Sequence, residues 1–231
     1  MAELLAHLEP GRVRANLAAV RDRVDRACER AGRDVRKVEL LAATKYVPAE
    51  LMGALPAAGI ELVGENTAQA LAEKHGQWGE SLTFDFIGHL QSRKVKLVLP
   101  LVRMLHSVQS ESALAQIERH GQGATRLLLQ VNVAGEESKD GIPTAEVERF
   151  LDQAARKRVR FSGLMTMPPV ALEPEQARPH FTALRALSER LRGDWADAHE
   201  LEVLSMGTSQ DFEVAIEEGS TICRLGGVLY E

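Results

Sequence analysis

The chain has 231 residues, 45% of them hydrophobic and 26% charged, with a formal net charge of −5. This is the composition of a globular protein with room for a sizeable core. The acidic balance argues against nucleic acid or an anionic membrane as partner, because phosphate surfaces select basic proteins.

An opening helical pattern, "RVRANLAAVRDRVDRACERAG", is followed by apolar runs that alternate with further helical patterns. The strand candidates are "VELLAAT", "IELVG", "TFDFIG", "MLHSV", "RLLLQVNV", "VRFSGLMT", "LEVLSM" and "TICRLG". Between them lie helical patterns around "AELMGALPAAG" (with Pro56 as a weak spot), "TAQALAEKHG", "LQSRKVKLVL", "ESALAQIERHG", "TAEVERFLDQAARK", "QARPHFTALRALSERL" and "DFEVAIEEG". Strands separated by single helices predict βαβ units and a parallel sheet. A count of about eight strands favours a closed (β/α)8 TIM-type barrel with an extra N-terminal helix over an open sheet. The first strand also runs into "ATKYVP", with no glycine-rich turn. No linker-like stretch divides the chain, so a single domain spanning 1–231 is expected.

The two cysteines, Cys28 and Cys223, lack metal-ligand or CxxC spacing and are expected to be buried free thiols. No apolar run approaches the roughly 20 residues that cross a bilayer. Acidic residues and early arginines interrupt the first twenty positions, so a cytoplasmic protein without a signal peptide is expected. No exposed apolar stripe stands out, and a monomer is expected.

A barrel carries its site at the C-terminal ends of its strands. There the sequence puts Lys45, "GEN" (64–66), "IGHLQ" (87–91), "HS" (106–107), "NVAGEESKDG" (132–141), "MTMPP" (165–169), "SMGTSQD" (205–211) and "RLGG" (224–227). A lysine turned toward a packed interior would have its pKa lowered by burial, and a neutral amine forms a Schiff base with an aldehyde. Read alone, Lys45 is more simply a lysine that reaches solvent or pairs with a carboxylate such as Glu65. Further on, Gly207 would let the backbone approach a ligand, and Ser209 offers a hydroxyl before a helix. An ordinary Thr/Ser helix cap explains that segment equally well.

Gly226 and Gly227 add backbone amides at the same mouth, where this fold habitually holds phosphate after its seventh and eighth strands. A Schiff-base lysine next to a phosphate cradle implies an aldehyde that carries a phosphate, and pyridoxal 5′-phosphate (PLP) fits. Arg224 facing a pyridine nitrogen would donate to it and leave it unprotonated, disfavouring transamination-type chemistry. The alternative is a surface arginine at a strand end.

The segments "LLAATK", "GENTAQ", "FIGHLQSRK", "HSV", "QVNVAGEESKDG", "GLMTMPP" and "LSMGTSQDFEVAIEEGSTICRLG" resemble the YggS/PROSC family of PLP homeostasis proteins. Their barrel is like that of alanine racemase without its second, β-rich domain. The resemblance implies PLP on Lys45 as a Schiff base, with Ser209, Gly226 and Gly227 on the phosphate. It also implies Arg224 near the ring nitrogen and Asn66 close to the cofactor. Lys139 and His89 are expected to be solvated loop residues. Thr44 stands where the family usually has serine, Thr67 replaces a tyrosine, Arg93 an asparagine and Gly227 a threonine.

The resemblance implies a carrier that buffers or delivers PLP, with PLP-dependent apo-enzymes as possible recipients. The alternative is a PLP-dependent racemase of small amino acids, which needs a base on each face of the substrate carbon. Of the two tyrosines, Tyr46 should point away from Lys45, because neighbours in an extended segment face opposite sides. Tyr230 should lie past the last barrel strand, so no second base is expected. A third reading is a barrel that binds another phosphorylated metabolite without a covalent link.

Overall fold

The computed structural model describes residues 4–121, 123–135, 140–169 and 172–231. Nine strands follow in chain order: β1 (Glu39–Ala43), β2 (Leu62–Glu65), β3 (Thr83–Phe86), β4 (Met104–Val108), β5 (Arg126–Asn132), β6 (Ile142–Pro143), β7 (Gly163–Met165), β8 (Val203–Thr208) and β9 (Ile222–Leu225). All recorded pairings are parallel, and β1 pairs with both β2 and β9 while β4 pairs with β5, so the sheet closes. The two-residue β6 pairs only with β5 and stands outside the ring. The remaining eight are the strands expected from the apolar runs, and the closed parallel (β/α)8 barrel is confirmed.

The helices are α1 (Pro10–Arg30), α2 (Ala54–Ala57), α3 (Ala68–Trp78), α4 (Val95–Val98), α5 (Glu111–His120), α6 (Val147–Arg156), α7 (Arg178–Trp195), α8 (Phe212–Glu217) and α9 (Gly227–Tyr230). Each long one buries residues three and four apart: Val13, Leu17, Val20 and Val24 on α1, Phe181, Leu184 and Leu191 on α7. That spacing lays an apolar stripe against the barrel, and each buried Leu or Phe contributes roughly 1.5–3 kcal/mol. Side-chain oxygens start two helices: Thr67 accepts from Ala70 N–H on α3, and Ser110 from Ala113 N–H on α5.

Two expected helices are broken. "AELMGALPAAG" splits into a 3₁₀ turn at Ala49–Leu51 and the short α2. Pro56 has no N–H to give to the Met52 carbonyl, which accepts from Leu55 N–H instead. "LQSRKVKLVL" likewise becomes a 3₁₀ turn, α4 and a second 3₁₀ turn that carries Pro100.

Helix α1 packs against α8 and α9 at the seam where β9 meets β1. Arg12 Nε donates to the Glu231 carbonyl and Asn16 Nδ2 to that of Leu229, tying the last helix in place. Most of the core lies between strands and helices. A separate small cluster, Leu41, Met104, Leu128, Met165, Val203 and Ile222, fills the barrel itself. Cys28 and Cys223 are buried free thiols, as expected.

Candidate functional site at the C-terminal rim

A cleft of about 880 Å³ opens at the C-terminal rim. Lys45 and Tyr46 reach it from the loop after β1, Asn66 from the loop after β2, and Ile87 and Gly88 from the loop after β3. Thr208, Ser209 and Gln210 line it after β8, as do Arg224, Gly226, Gly227 and Tyr230 around β9 and α9. All six residues singled out from the sequence therefore meet in one cavity. Another cavity, about 580 Å³, sits at the opposite rim between α1 and the starts of β1 and β2, and none of the six lines it.

Lys45 does not face a packed interior. Its side chain is exposed, with Nζ 4.7 Å from the centre of the Tyr46 ring. The burial argument for a neutral amine therefore does not apply at this position. Nor do Lys45 and Tyr46 face opposite ways: β1 ends at Ala43, and a turn replaces the extended chain that alternation requires.

Among the described residues the buried lysine is Lys74, on α3. Its Nζ donates to Glu65 Oε1 at 2.6 Å and to the Thr44 carbonyl at 2.8 Å. The Thr44 hydroxyl also donates to Glu65 Oε1. Glu65 is fully buried, so the carboxylate suggested as a partner for Lys45 belongs to Lys74 instead. The clamp grips the carbonyl immediately before Lys45. Its trace in the sequence is a glutamate closing β2 and a lysine nine residues later on the inward face of α3.

Arg224 is buried, not a surface arginine at a strand end. It donates to Ser205 Oγ, to the Thr166 carbonyl at 2.9 Å and to Met167 Sδ. Burial pushes its pKa down to about 10, with partial relief from Cys223 and Asp211. A buried guanidinium whose acceptors among the described residues are all neutral makes the cleft receptive to an anionic or electron-rich ligand.

On the other wall, Ser209 Oγ accepts from Gly226 N–H at 2.9 Å and joins the loops after β8 and β9. The Thr208 N–H and hydroxyl both donate to Asp211 Oδ1, which folds the turn into α8. Gly207 has φ +92°, and a Cβ there would lie 2.6 Å from that of Ala215. Its close approach is thus to α8 and not to a ligand. It sits where the β8–β9 register shifts, and this aims Thr208 and Ser209 at the cleft. Gly226 is open, with the Ala43 carbonyl 4.0 Å from a would-be Cβ.

Tyr230, expected beyond the barrel strand, turns back in α9 and lines the cleft. Its hydroxyl is buried and finds no partner among the described residues, nor does Glu65 Oε2. Burial raises the phenol's pKa, and the Glu65 charge raises it further. His89 lies outside the cleft with Asp140 and Gln109 on an exposed rim, and Lys139 falls outside the described residues. His106, taken for a rim residue, is fully buried within β4.

The alanine racemase N-terminal domain profile matches residues 15–231. The chain is 37% identical over 219 residues to the pyridoxal phosphate homeostasis protein of Aquifex aeolicus, covering 93% of this chain and 95% of that one. It is 32% identical over 223 residues to the Escherichia coli protein of the same name, covering 93% and 94%. Among solved structures it is similar to PipY of Synechococcus elongatus with PLP bound, with a TM-score of 0.81 at 27% identity, covering 95% and 100%. With its barrel, its rim cleft and these likenesses, the chain belongs to the alanine racemase N-terminal domain family and, within it, to the pyridoxal phosphate homeostasis proteins.

Proposed function

We propose that this protein binds PLP in the rim cleft, attached through Lys45, and serves PLP homeostasis by buffering or delivering the cofactor. The observation that carries the reading is the meeting in a single cleft of an exposed amine, a buried guanidinium with no carboxylate on it among the described residues, and open backbone at Gly226. The donor set suits the group: an amine for an aldehyde, a permanent donor for a pyridine nitrogen, and for a phosphate the Ser209 hydroxyl, whose oxygen the Gly226 N–H already holds, with the Gly227 amide beside it. Bound PLP supplies an electrophilic aldehyde and an electron-withdrawing ring.

Lys45 offers its Nζ to the aldehyde, and Tyr46 beneath it orients the amine. Arg224 would hold the ring nitrogen as a donor that keeps its own proton, and a ring held so would be the weaker electron sink. Ser209 and Gly227 would hold the phosphate, with Gly226 fixing the Ser209 hydroxyl, and Asn66 would supply a polar contact on the side of β2. The proposal includes a monomer at work in the cytoplasm and handover to PLP-dependent apo-enzymes. Among the described residues no helix is long and apolar enough to cross a membrane.

A racemase needs two bases, and Tyr230 reaches the cleft. A phenol is already protonated at neutral pH, and burial with the Glu65 charge disfavours its phenolate further, which makes it a poor second base. We therefore favour the carrier.

The test is to incubate the protein with PLP, reduce with borohydride and locate the added pyridoxyl group by mass spectrometry. The expected site is Lys45, and Lys45→Ala abolishes both the visible band and the adduct. A wild-type protein that stays colourless and unmodified, or is labelled elsewhere, overturns the reading. Racemisation of single-enantiomer amino acids at a typical enzyme's pace of about 1–10³ per second overturns the carrier assignment.

A further inference from the structure

Among the apolar side chains that fill the barrel, such as Leu41, Met104 and Ile222, four polar ones cross its interior, on β3, β4, β8 and β9. Asp85 is gripped through both oxygens by Arg103, at 3.1 and 2.7 Å, and Arg103 also holds Glu39 at 2.8 Å. His106 Nε2 lies 3.1 Å from Asp85 Oδ2, and its Nδ1 lies 2.8 Å from Ser205 Oγ. Ser205 Oγ meets Arg224, which lines the cleft. The row thus runs from one rim of the barrel to the other.

Its polarity follows from the two ends. A guanidinium can only donate, so Ser205 Oγ accepts from Arg224 and has one proton to give onward. An ionised carboxylate can only accept, so the His106 nitrogen facing Asp85 must carry a hydrogen. These conditions agree on one state: a neutral imidazole with hydrogen on Nε2 and a lone pair on Nδ1 for the Ser205 hydroxyl. The other neutral tautomer would set a nitrogen lone pair against a carboxylate and leave the serine proton without an acceptor. Desolvation independently disfavours an imidazolium at this fully buried position.

We propose that His106 is a positioning residue for Arg224: held as the Nε2–H tautomer between Asp85 and Ser205, it keeps the Ser205 hydroxyl oxygen turned to the guanidinium and so fixes the donor that faces the ligand's ring. The proposal rests on the reading that Arg224 meets the PLP ring nitrogen. Without His106 the serine rotor would be free to turn its proton elsewhere, and the guanidinium would lose a fixed acceptor on Nη1. Arg224 keeps its charge throughout, and only its orientation is at stake.

The first measurement uses the protein without PLP: ¹⁵N NMR of histidine-labelled protein at pH 7. The expected result is a neutral His106 with hydrogen on Nε2, and an imidazolium or an Nδ1–H tautomer overturns the proposal. The second compares PLP-loaded variants. In His106→Gln the amide accepts from Ser205 and donates to Asp85, so PLP affinity and the position of the visible band stay close to wild type. His106→Leu and Ser205→Ala each weaken PLP binding about tenfold or more and move the band, the range of a lost hydrogen bond to a charged group.

Ser205→Ala removes a single hydroxyl and serves should His106→Leu fail to fold. If affinity and band survive these variants, the row is barrel filling and the proposal is wrong. If wild-type protein takes up no PLP at all, the cofactor reading fails and the proposal's ring-directed role falls with it, while the tautomer measured without PLP shows whether the hydrogen-bond row itself is right.

Discussion

Lys74→Met keeps the length of the side chain and removes its charge. The variant strands the Glu65 carboxylate, whose accessibility is 0%, with the Thr44 hydroxyl as its remaining hydrogen-bond partner. It also takes away the donor on the Thr44 carbonyl. Breaking a buried pair from one side leaves an uncompensated charge and costs about 3–5 kcal/mol. For a chain of this size that corresponds to a fall in Tm of roughly 6–20 °C. The assay is urea unfolding at pH 7 with a parallel thermal scan. Adding Glu65→Gln to Lys74→Met restores a substantial part of the loss, because an amide is far cheaper to bury than a carboxylate. Because the clamp ends on the residue before Lys45, the single variant also lowers the yield of borohydride-fixed PLP. A loss under about 1 kcal/mol, the range of exposed pairs, or a double variant no better than the single one would refute the reasoning.

The His106–Asp85 pair makes stability depend on pH. Burial holds the His106 pKa below its ordinary value, so below about pH 6.5 the unfolded chain takes up a proton that the folded protein refuses, and stability falls. Burial works against the Asp85 carboxylate, but its bonds to His106 and Arg103 outweigh burial and lower its pKa. Asp85 therefore contributes stability above its unfolded value of about 3.9 and loses it as pH drops through the folded one. His106→Gln should flatten the upper part of this profile and Asp85→Asn the lower, read by urea midpoints from pH 7 to 3, and unchanged slopes would contradict the pairing. Burial raises both thiols, Cys223 up to about 11, so a thiol reagent at pH 8 should find neither in the native protein and both in urea. Tyr230→Phe deletes a buried hydroxyl that has no protein partner, and stability should hold or rise slightly, whereas a loss above about 1 kcal/mol would show that the hydroxyl has a partner after all.

Much of the candidate site was legible because its residues occupy places the fold assigns in advance. Lys45, Asn66, Ser209, Arg224, Gly226 and Gly227 sit in or just beyond strands whose C-terminal ends must converge once the barrel closes. Tyr230 lies past the last barrel strand as expected, but neither its return to the cleft nor the direction of Tyr46 follows from the sequence, because both lie where the chain stops being extended, a turn after β1 and a helical turn after β9. Alternation gives no direction there. Gly207 was recognised as special, yet what it approaches is decided by the packing of α8.

The alternation of apolar runs with helical stripes was enough to determine a parallel sheet, since parallel strands that bury both faces must be joined by helices that cover them, and the count of about eight strands favoured its closure. Spacing along the chain also determined which strand ends would carry polar and glycine residues. Which charges meet inside was left to the tertiary structure. Glu65 could have served Lys45 or Lys74, and His106 could have faced solvent or the interior. Those choices depend on distances between side chains from different strands and helices, which come into being only when the ring closes and water is expelled from between them.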